Sequence, residues 1–216
     1  MKTATKERPI LFSGPMVRAI LDGRKTQTRR VILHRHAYKQ SFEKMTSREI
    51  KDVRRMAAML RQDEEGEAVE YLKKNCPYGQ PGDRLWVRET WQHEDGSCDD
   101  HKCGQPTHIY HKATESFPES IRWRPSIFMP RWASRLTLQV EEVRIQRLKE
   151  ISEEDAKAEG VKRGPCNCAN WASCGCSLSS YRLAFSKLWE SINAKRGFGW
   201  DENPWVWVVE FKMVRE

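Results

Sequence analysis

The chain has 216 residues and a formal net charge of +8. No apolar run approaches the roughly 20 residues that a membrane-spanning helix needs, and the basic start MKTATKERPILF lacks the apolar part of a secretory signal. We therefore expect a cytoplasmic protein that forms one domain with insertions.

The first predicted elements are a strand and a helix. The apolar residues 9–12 predict a short strand. Ser13 and Gly23 are typical of the start and the end of the helix that follows. The basic residues 24–30 are interpreted as a loop, and residues 31–33 as the next strand.

The middle of the chain is first polar and then has strand patterns. The segment at about 38–75 predicts a helical insertion. Turn-forming residues at 77–83 end it. An alternating pattern predicts a strand at 84–91, and shorter strands are predicted at 107–111 and 126–129.

The last part of the chain alternates between strand and helix signals. Ser152 is typical of a helix N-cap and Gly160 of a helix end, and a Cys-rich insertion is expected at about 162–177. Two strands, a longer amphipathic helix and a closing strand are predicted at 136–140, 143–148, 181–193 and 204–211. The mixture predicts a single α+β domain.

The positive charge is concentrated in the first part of the chain. Residues 1–61 hold sixteen Lys and Arg against five Asp and Glu, whereas the remainder has a balance of −3. A basic end on a near-neutral body indicates an anionic partner such as a nucleic acid. Solvated helix faces without a partner are the alternative interpretation.

The basic segment after the first helix carries the candidate chemistry. Four cations and two hydroxyls follow one another in Arg24-Lys25-Thr26-Gln27-Thr28-Arg29-Arg30. Arg offers a planar fork for phosphates or base edges, and a desolvated Lys can activate a hydroxyl or a water. A solvated basic turn without chemistry is the alternative.

Four parts of the sequence match a known pattern together. Residues 9–31, the run PGDRLWVRE at 81–89, residues 151–161 and the closing strand resemble the ASCH-domain family, in particular its larger members from bacteriophages and prophages. The resemblance implies a PUA-like fold, which is a small mixed β-barrel flanked by helices. It also implies that RNA or a modified nucleoside is the partner.

One short member of that family removes the acetyl group from N4-acetylcytidine with a Lys, a Thr and a Glu. The resemblance places these roles on Lys25, Thr28 and Glu159. We expect Thr28 to act as the nucleophile or to position a water, Lys25 to take its proton and then stabilise the oxyanion, and Glu159 to orient Lys25. A salt bridge between Lys25 and Glu159, with Thr28 as an ordinary strand residue, is the alternative.

Two further observations bear on the reaction. A catalytic Lys needs a pKa lowered towards about 7–8, so burial of Lys25 must outweigh the opposing effect of Glu159. Other members of the family are ribonucleases, so a ribonuclease and a binding module without chemistry stay open beside the amidohydrolase.

Aromatic and charged side chains elsewhere suit contact with an unstacked base. Trp paired with Arg in loop-like sequence favours stacking and phosphate contact, and a Glu can accept a hydrogen bond from a cytosine amino group. The residues expected to bind nucleic acid or substrate are Arg24, Thr26, Arg29, Arg30, Glu89, Trp91, Trp123, Arg131, Trp132 and Arg135.

The cysteines indicate a metal site rather than disulfides. Their number is odd, at seven, and thiols in a reducing compartment are more often metal ligands or unpaired. Two Cys-x-Cys pairs, with Cys98, His101 and Cys103 as possible additions, predict a structural zinc held by Cys166, Cys168, Cys174 and Cys176. Unpaired thiols in a loop are the alternative. We expect catalysis to need no cofactor.

Overall fold

The computed structural model describes residues 5–32, 67–93, 108–115, 122–163 and 180–214. Its centre is a five-stranded mixed sheet. In chain order the strands of the protein are β1 (Glu7–Leu11), β2 (Gln27–Val31), β3 (Arg84–Arg88), β4 (Trp91–His93), β5 (Ile109–His111), β6 (Thr137–Arg147) and β7 (Trp205–Val214). The large sheet has the order β1-β3-β6-β7-β2, and β4 pairs with β5 alone.

The pairing leaves the large sheet open but bent. β1 is parallel to β3, and the other pairs are antiparallel. No backbone pairing joins β1 to β2 in the described ranges, so these strands do not form a closed barrel. The two edge strands nevertheless approach each other, because Nη2 of Arg30 on β2 donates a hydrogen bond to the backbone oxygen of Leu11 on β1 at 2.6 Å.

Four helices are described around the sheet: α1 (Gly14–Leu21), α2 (Glu67–Lys74), α3 (Glu153–Ala158) and α4 (Tyr181–Asn193). The predicted cap of α3 is confirmed, since Ser152 Oγ accepts a hydrogen bond from the backbone N–H of Asp155. The predicted helix at 181–193 is also confirmed. None of the helices in the described ranges has both the length and the apolar character needed to span a bilayer.

The central strand β7 joins two apolar clusters. Its alternate residues point to opposite faces of the sheet. Trp207, Val209 and Phe211 belong to one cluster together with side chains of α1, α2 and β1, whereas Val206 and Val208 belong to a second cluster with side chains of α3 and α4. The mixed α+β class predicted from the sequence is therefore confirmed.

Four local predictions need correction. The strand expected at 84–91 ends at Arg88, and Trp91 begins β4, which belongs to the other sheet. Ser126–Phe128 form a 3-10 turn in place of the strand expected at 126–129, and the nearby Pro125 and Pro130 suit a turn because neither has a backbone N–H for a ladder. The strand expected at 31–33 lies instead at 27–31, so most of the basic segment is strand. The two strands predicted near residue 140 are the single strand β6, with a bulge between Val140 and Glu142.

Gly160 allows α3 to end tightly against the start of β2. Its φ is +82°, which is unfavourable for residues with a side chain. A Cβ atom at this position would lie 2.7 Å from Cβ of Lys25 and 2.9 Å from Cβ of Ala19. The space that a side chain would need is therefore occupied by Lys25 itself.

Replacement of Gly160 by Ala tests this close approach. We expect Gly160→Ala to lower the free energy of unfolding by about 2–5 kcal/mol, since it adds overpacking to a strained backbone. Gly23→Ala is the matched control, because its φ is +70° but no atom lies within 4 Å of the added Cβ. It should cost only about 1–2 kcal/mol. Urea unfolding measures both, and equal costs would contradict the packing argument.

Candidate functional site

A cavity of about 300 Å³ lies beside the edge strand β2. We call it the β2 cavity. Thr28, Arg29 and Arg30 of β2 line it on one side, and α4 with the turn after it closes the other. Its wall combines charged groups with the aromatic rings of Tyr78, Phe185, Trp189 and Phe198. Because β2 is an edge strand, side chains from both of its faces reach the cavity.

Lys25 and Glu159 form a buried ion pair at one end of the β2 cavity. Lys25 Nζ donates to Glu159 Oε2 at 2.8 Å and to the Glu159 backbone oxygen at 3.0 Å. Both residues are buried, and their backbones also form an isolated antiparallel bridge. Glu159 lines the cavity, whereas Lys25 lies behind it. Lys25 and Glu159 are thus in direct contact although they are 134 residues apart in the sequence.

Arg29 extends this pair into a chain of charges. Its Nη1 donates to Glu159 Oε1 at 3.1 Å, and its Nη2 donates to Asp155 Oδ2 at 2.7 Å. Asp155 also accepts from Arg144 at 3.4 Å, and Arg144 in turn pairs with Glu210. Both oxygens of Glu159 are therefore held by cations, which fixes the orientation of its carboxylate.

Burial alone would lower the pKa of Lys25 and raise that of Asp155, but the pKa values of both residues are lowered. Burial lowers the pKa of Lys25 below its ordinary 10.5, and the charge and hydrogen bond of Glu159 only partly offset that effect. Burial acts to raise the pKa of Asp155, but Arg29 and Arg144 outweigh it, and the pKa falls below 3.8. The amine of Lys25 is thus easier to deprotonate than an exposed lysine.

Thr28 occupies the wall of the β2 cavity two positions before Arg30 on the same face of β2. The ring of Phe12 lies 5.7 Å from Lys25 Nζ and 5.3 Å from the Arg30 guanidinium. The Phe12 ring thus contacts both Lys25 and Arg30, and Arg30 shares its face of β2 with Thr28. Within the described ranges the Thr28 side chain makes no hydrogen bond, so its hydroxyl is available to a ligand.

The other residues of the basic segment are placed differently. Arg24 is half-buried and donates to the Gly160 backbone oxygen at 2.8 Å and to Asp22. Thr26 is exposed on a shallower surface near Lys157. Of the binding residues predicted in this segment, the structure brings Arg29 and Arg30 to the β2 cavity and leaves Arg24 and Thr26 outside it.

A second charged group lies next to the end of β3 and outside the β2 cavity. Glu89 is buried, and Arg135 holds both of its carboxylate oxygens at 2.9 and 3.1 Å. Arg135 also donates to Thr114 at 2.9 Å. The predicted pair of binding residues Glu89 and Arg135 is therefore engaged internally.

The predicted aromatic contacts are divided between core and surface. Trp91 is buried, and its ring centroid lies 5.6 Å from that of Trp132. Trp132 is 50 % exposed, and Ile127 and Phe128 of the preceding 3-10 turn are 55 % and 68 % exposed. We call these three residues the Trp132 surface.

Two further predicted binding residues have partners in the protein. Trp123 is half-buried, and Lys112 Nζ lies 5.9 Å from its ring. Arg131 donates to Glu7 at 2.9 Å. Neither lines the β2 cavity.

The predicted zinc ligands Cys166, Cys168, Cys174 and Cys176 lie outside the described residues, as do Cys98, His101 and Cys103. Cys76, which is described, is buried without a disulfide partner, and burial raises the pKa of its thiol. In the described ranges no three His, Cys, Asp or Glu side chains come together as metal ligands do. The zinc site stays a prediction.

Several residues of the β2 cavity were not predicted from the sequence. Tyr78, Asn193, Arg196 and Phe198 line it, and Phe185 and Trp189 of α4 were predicted only as part of an amphipathic helix. The basic pair Lys195-Arg196 directly after α4 was no signal of a site, because cations are common at a helix C-terminus, where they interact favourably with the helix dipole. Tyr78 lay in a segment that was interpreted only as a turn.

Comparisons of the chain with models of protein families, with curated proteins and with solved structures find no match.

The charge chain predicts a specific pH dependence of stability. Asp155 has a pKa below 3.8 in the folded state, so its contribution is present above pH 3.8 and is lost as the pH falls through the folded value. We expect Asp155→Asn to lower the free energy of unfolding by about 1–3 kcal/mol at pH 7. The difference between variant and wild type should shrink below pH 3.8.

Asp201→Asn is the control for this experiment. Asp201 accepts from Lys149 at 2.9 Å, but its side chain is 97 % exposed, and an ion pair of that kind contributes little. Urea unfolding between pH 2.5 and 7 measures both variants. A difference for Asp155→Asn that persists at the lowest pH would contradict the assignment.

Proposed function

We propose that the protein is a hydrolase that removes an acyl group from N4-acylated cytidine in the β2 cavity. The observation that carries this proposal is the buried contact between Lys25 and Glu159, 2.8 Å apart, because Glu159 lines the same cavity as Thr28. These are the three residue types, at the three positions, that the resemblance to the ASCH-domain family requires. A ligand reaching Thr28 would also lie beside Glu159.

The proposal includes a PUA-like fold. The bent five-stranded sheet supports it, since the Arg30 side chain bridges the two edge strands in the place where a barrel would close. Helices α3 and α4 packed on one face support it as well.

The reaction proceeds in two steps in this proposal. The Thr28 hydroxyl attacks the acyl carbonyl carbon while neutral Lys25 takes the hydroxyl proton, and the resulting tetrahedral oxyanion is stabilised by the lysine ammonium. The C–N bond then breaks, and the cytosine amino group leaves with the proton. Water next hydrolyses the ester on Thr28, which releases the carboxylic acid and restores the hydroxyl.

Glu159 and Arg29 position Lys25 in this scheme. The lowered pKa of Lys25 supports its role as a base, because burial outweighs the charge of Glu159. Arg29 balances the carboxylate of Glu159 at its second oxygen. Glu159 therefore orients the amine without holding it as strongly in the charged form as an unshared carboxylate would.

Turnover of N4-acetylcytidine by the full chain tests the proposal. We expect cytidine and acetate as products, and a loss of at least about 100-fold in kcat/KM for Thr28→Val and for Lys25→Met. The wild-type rate should rise with pH and level off above the Lys25 pKa, which lies below 10.5. Chromatography of the products measures the rate.

Thr26→Val is the matched control, because Thr26 is an exposed hydroxyl two residues away in the same segment. It should retain wild-type turnover. Circular dichroism must show that each variant is folded. Absence of turnover in the wild type, or full activity of Thr28→Val, would exclude the reaction proposed here.

A second candidate function is binding of single-stranded RNA without chemistry. The Trp132 surface favours it, since Phe128 and Trp132 are 68 % and 50 % exposed and Trp132 packs edge-on against the buried Trp91. The guanidinium of Arg124 lies over the same Trp91 ring at 5.4 Å. Exposed aromatic rings beside cations suit stacking of unpaired bases.

Alanine substitutions at the Trp132 surface test this second function. We expect Phe128→Ala and Trp132→Ala each to weaken binding of a short single-stranded RNA by about 5- to 100-fold, since each removes a stacking platform. Leu21→Ala is the control, because Leu21 is also an exposed apolar side chain, at 37 %. Fluorescence anisotropy at several salt concentrations measures the affinities. Unchanged binding by both aromatic variants would exclude this surface.

A further inference from the structure

The β2 cavity contains two arginines whose charges are not balanced within the described residues. Arg30 comes from β2, and Arg196 comes from the 3-10 turn Ala194–Arg196 after α4. Each of the other cations near the cavity has an acidic partner, since Lys25 pairs with Glu159 and Arg29 pairs with Glu159 and Asp155. Neither Arg30 nor Arg196 forms an ion pair with a carboxylate in the described ranges.

Arg30 is held in place by groups that do not neutralise it. Nη2 donates to the Leu11 backbone oxygen at 2.6 Å, and the guanidinium lies 5.3 Å from the Phe12 ring and 6.0 Å from the Tyr78 ring. Its Nε is buried without a hydrogen-bond partner in the described ranges. A guanidinium fixed by its neighbours is already oriented for a ligand, because little side-chain freedom is lost on binding.

The charge of Arg196 acts on Arg30 and makes the charged form of Arg30 less favourable. Burial lowers the pKa of Arg30, and the charge of Arg196 acts in the same direction, although Tyr78 and Glu159 oppose them. Two guanidinium groups that converge on one cavity repel each other unless an anion lies between them. The arrangement therefore favours a ligand that brings its own negative charge.

The remaining wall of the β2 cavity defines the other part of the ligand. Tyr78, Phe185, Trp189 and Phe198 provide aromatic surface, and the buried Asn193 is also in the lining. The volume of about 300 Å³ is at the lower end of the range of roughly 300–1,000 Å³ for small-molecule sites. A space of this size accommodates a ligand of about the size of one nucleotide, and does not hold an oligonucleotide.

We infer that the β2 cavity binds a nucleoside that carries a phosphate, with Arg30 and Arg196 holding the phosphate and the aromatic wall holding the base. This inference rests on the proposed function and narrows its substrate from any N4-acylated cytidine to one that carries a phosphate. The ligand is a free nucleotide, or one nucleotide turned out of a single strand into the cavity. Both have the same phosphate chemistry, and they differ in what continues outside the cavity.

Calorimetric binding of cytidine 5′-monophosphate and of cytidine to the full chain tests the inference without requiring turnover. We expect the monophosphate to bind at least about tenfold more tightly, and this preference to decrease as salt is added. Arg196→Gln should weaken binding of the monophosphate about tenfold and leave that of cytidine unchanged. Arg196 is exposed, so the substitution does not endanger folding.

Lys195→Gln is the matched control, because it removes the same charge from the adjacent exposed residue, which does not line the cavity. It should keep the wild-type preference. Equal affinity for the two ligands, or an unchanged preference in Arg196→Gln, would overturn the inference. Failure of N4-acetylcytidine turnover with a preserved phosphate preference would instead exclude only the hydrolase.

A five-nucleotide RNA with a central cytidine distinguishes the two sources of the phosphate. If it binds more tightly than the monophosphate and Arg196→Gln weakens it equally, the ligand is a nucleotide of a strand. If it binds more weakly, while the monophosphate remains sensitive to Arg196→Gln, the ligand is the free nucleotide.

Discussion

The buried chain of charges from Lys25 through Glu159 and Arg29 to Asp155 ties the edge strand β2 to the end of α3. Charged groups away from water destabilise a fold unless each has its partners. Here each carboxylate is shared between two cations, and β2 is fixed along its length by α3 as well as by its pairing with β7. The position of the β2 cavity follows from this attachment.

An edge strand made of Gln, Thr and Arg is unusual for the interior of a protein. Its backbone is paired on one side only, and its side chains supply the wall of the cavity on both faces. The polar residues are tolerated because they have partners, since Gln27 donates to the Asp155 backbone oxygen and Arg29 to Glu159 and Asp155. The neighbouring strand β7 is apolar, with residues 206–209 buried in succession. β7 forms part of the apolar interior, and β2 provides the polar side chains that line the β2 cavity.

The sequence predicted the elements whose signals are local. The helix at 181–193 and the Ser152 cap were identified because amphipathic spacing and capping residues act over a few positions. The location of β2 was missed, since Thr28-Arg29-Arg30 become strand only by pairing with residues 206–210. The contact of Lys25 with Glu159 was anticipated through a family resemblance and not from spacing. The position of Arg196 at the β2 cavity depends on β2, the turn around Tyr78 and the turn after α4 coming together, which no local pattern contains.

One consequence concerns the junction between α3 and α4. Glu153 on α3 accepts hydrogen bonds from the backbone N–H groups of Tyr181 and Arg182, at 2.8 and 3.3 Å, and the guanidinium of Arg163 lies 4.4 Å from the Tyr181 ring. The side chains of Arg163 and Tyr181 are thereby in contact across the junction. The cost of closing a loop rises only slowly with its length. We therefore expect a change in the number of residues between 163 and 181 to have a small effect on the free energy of unfolding.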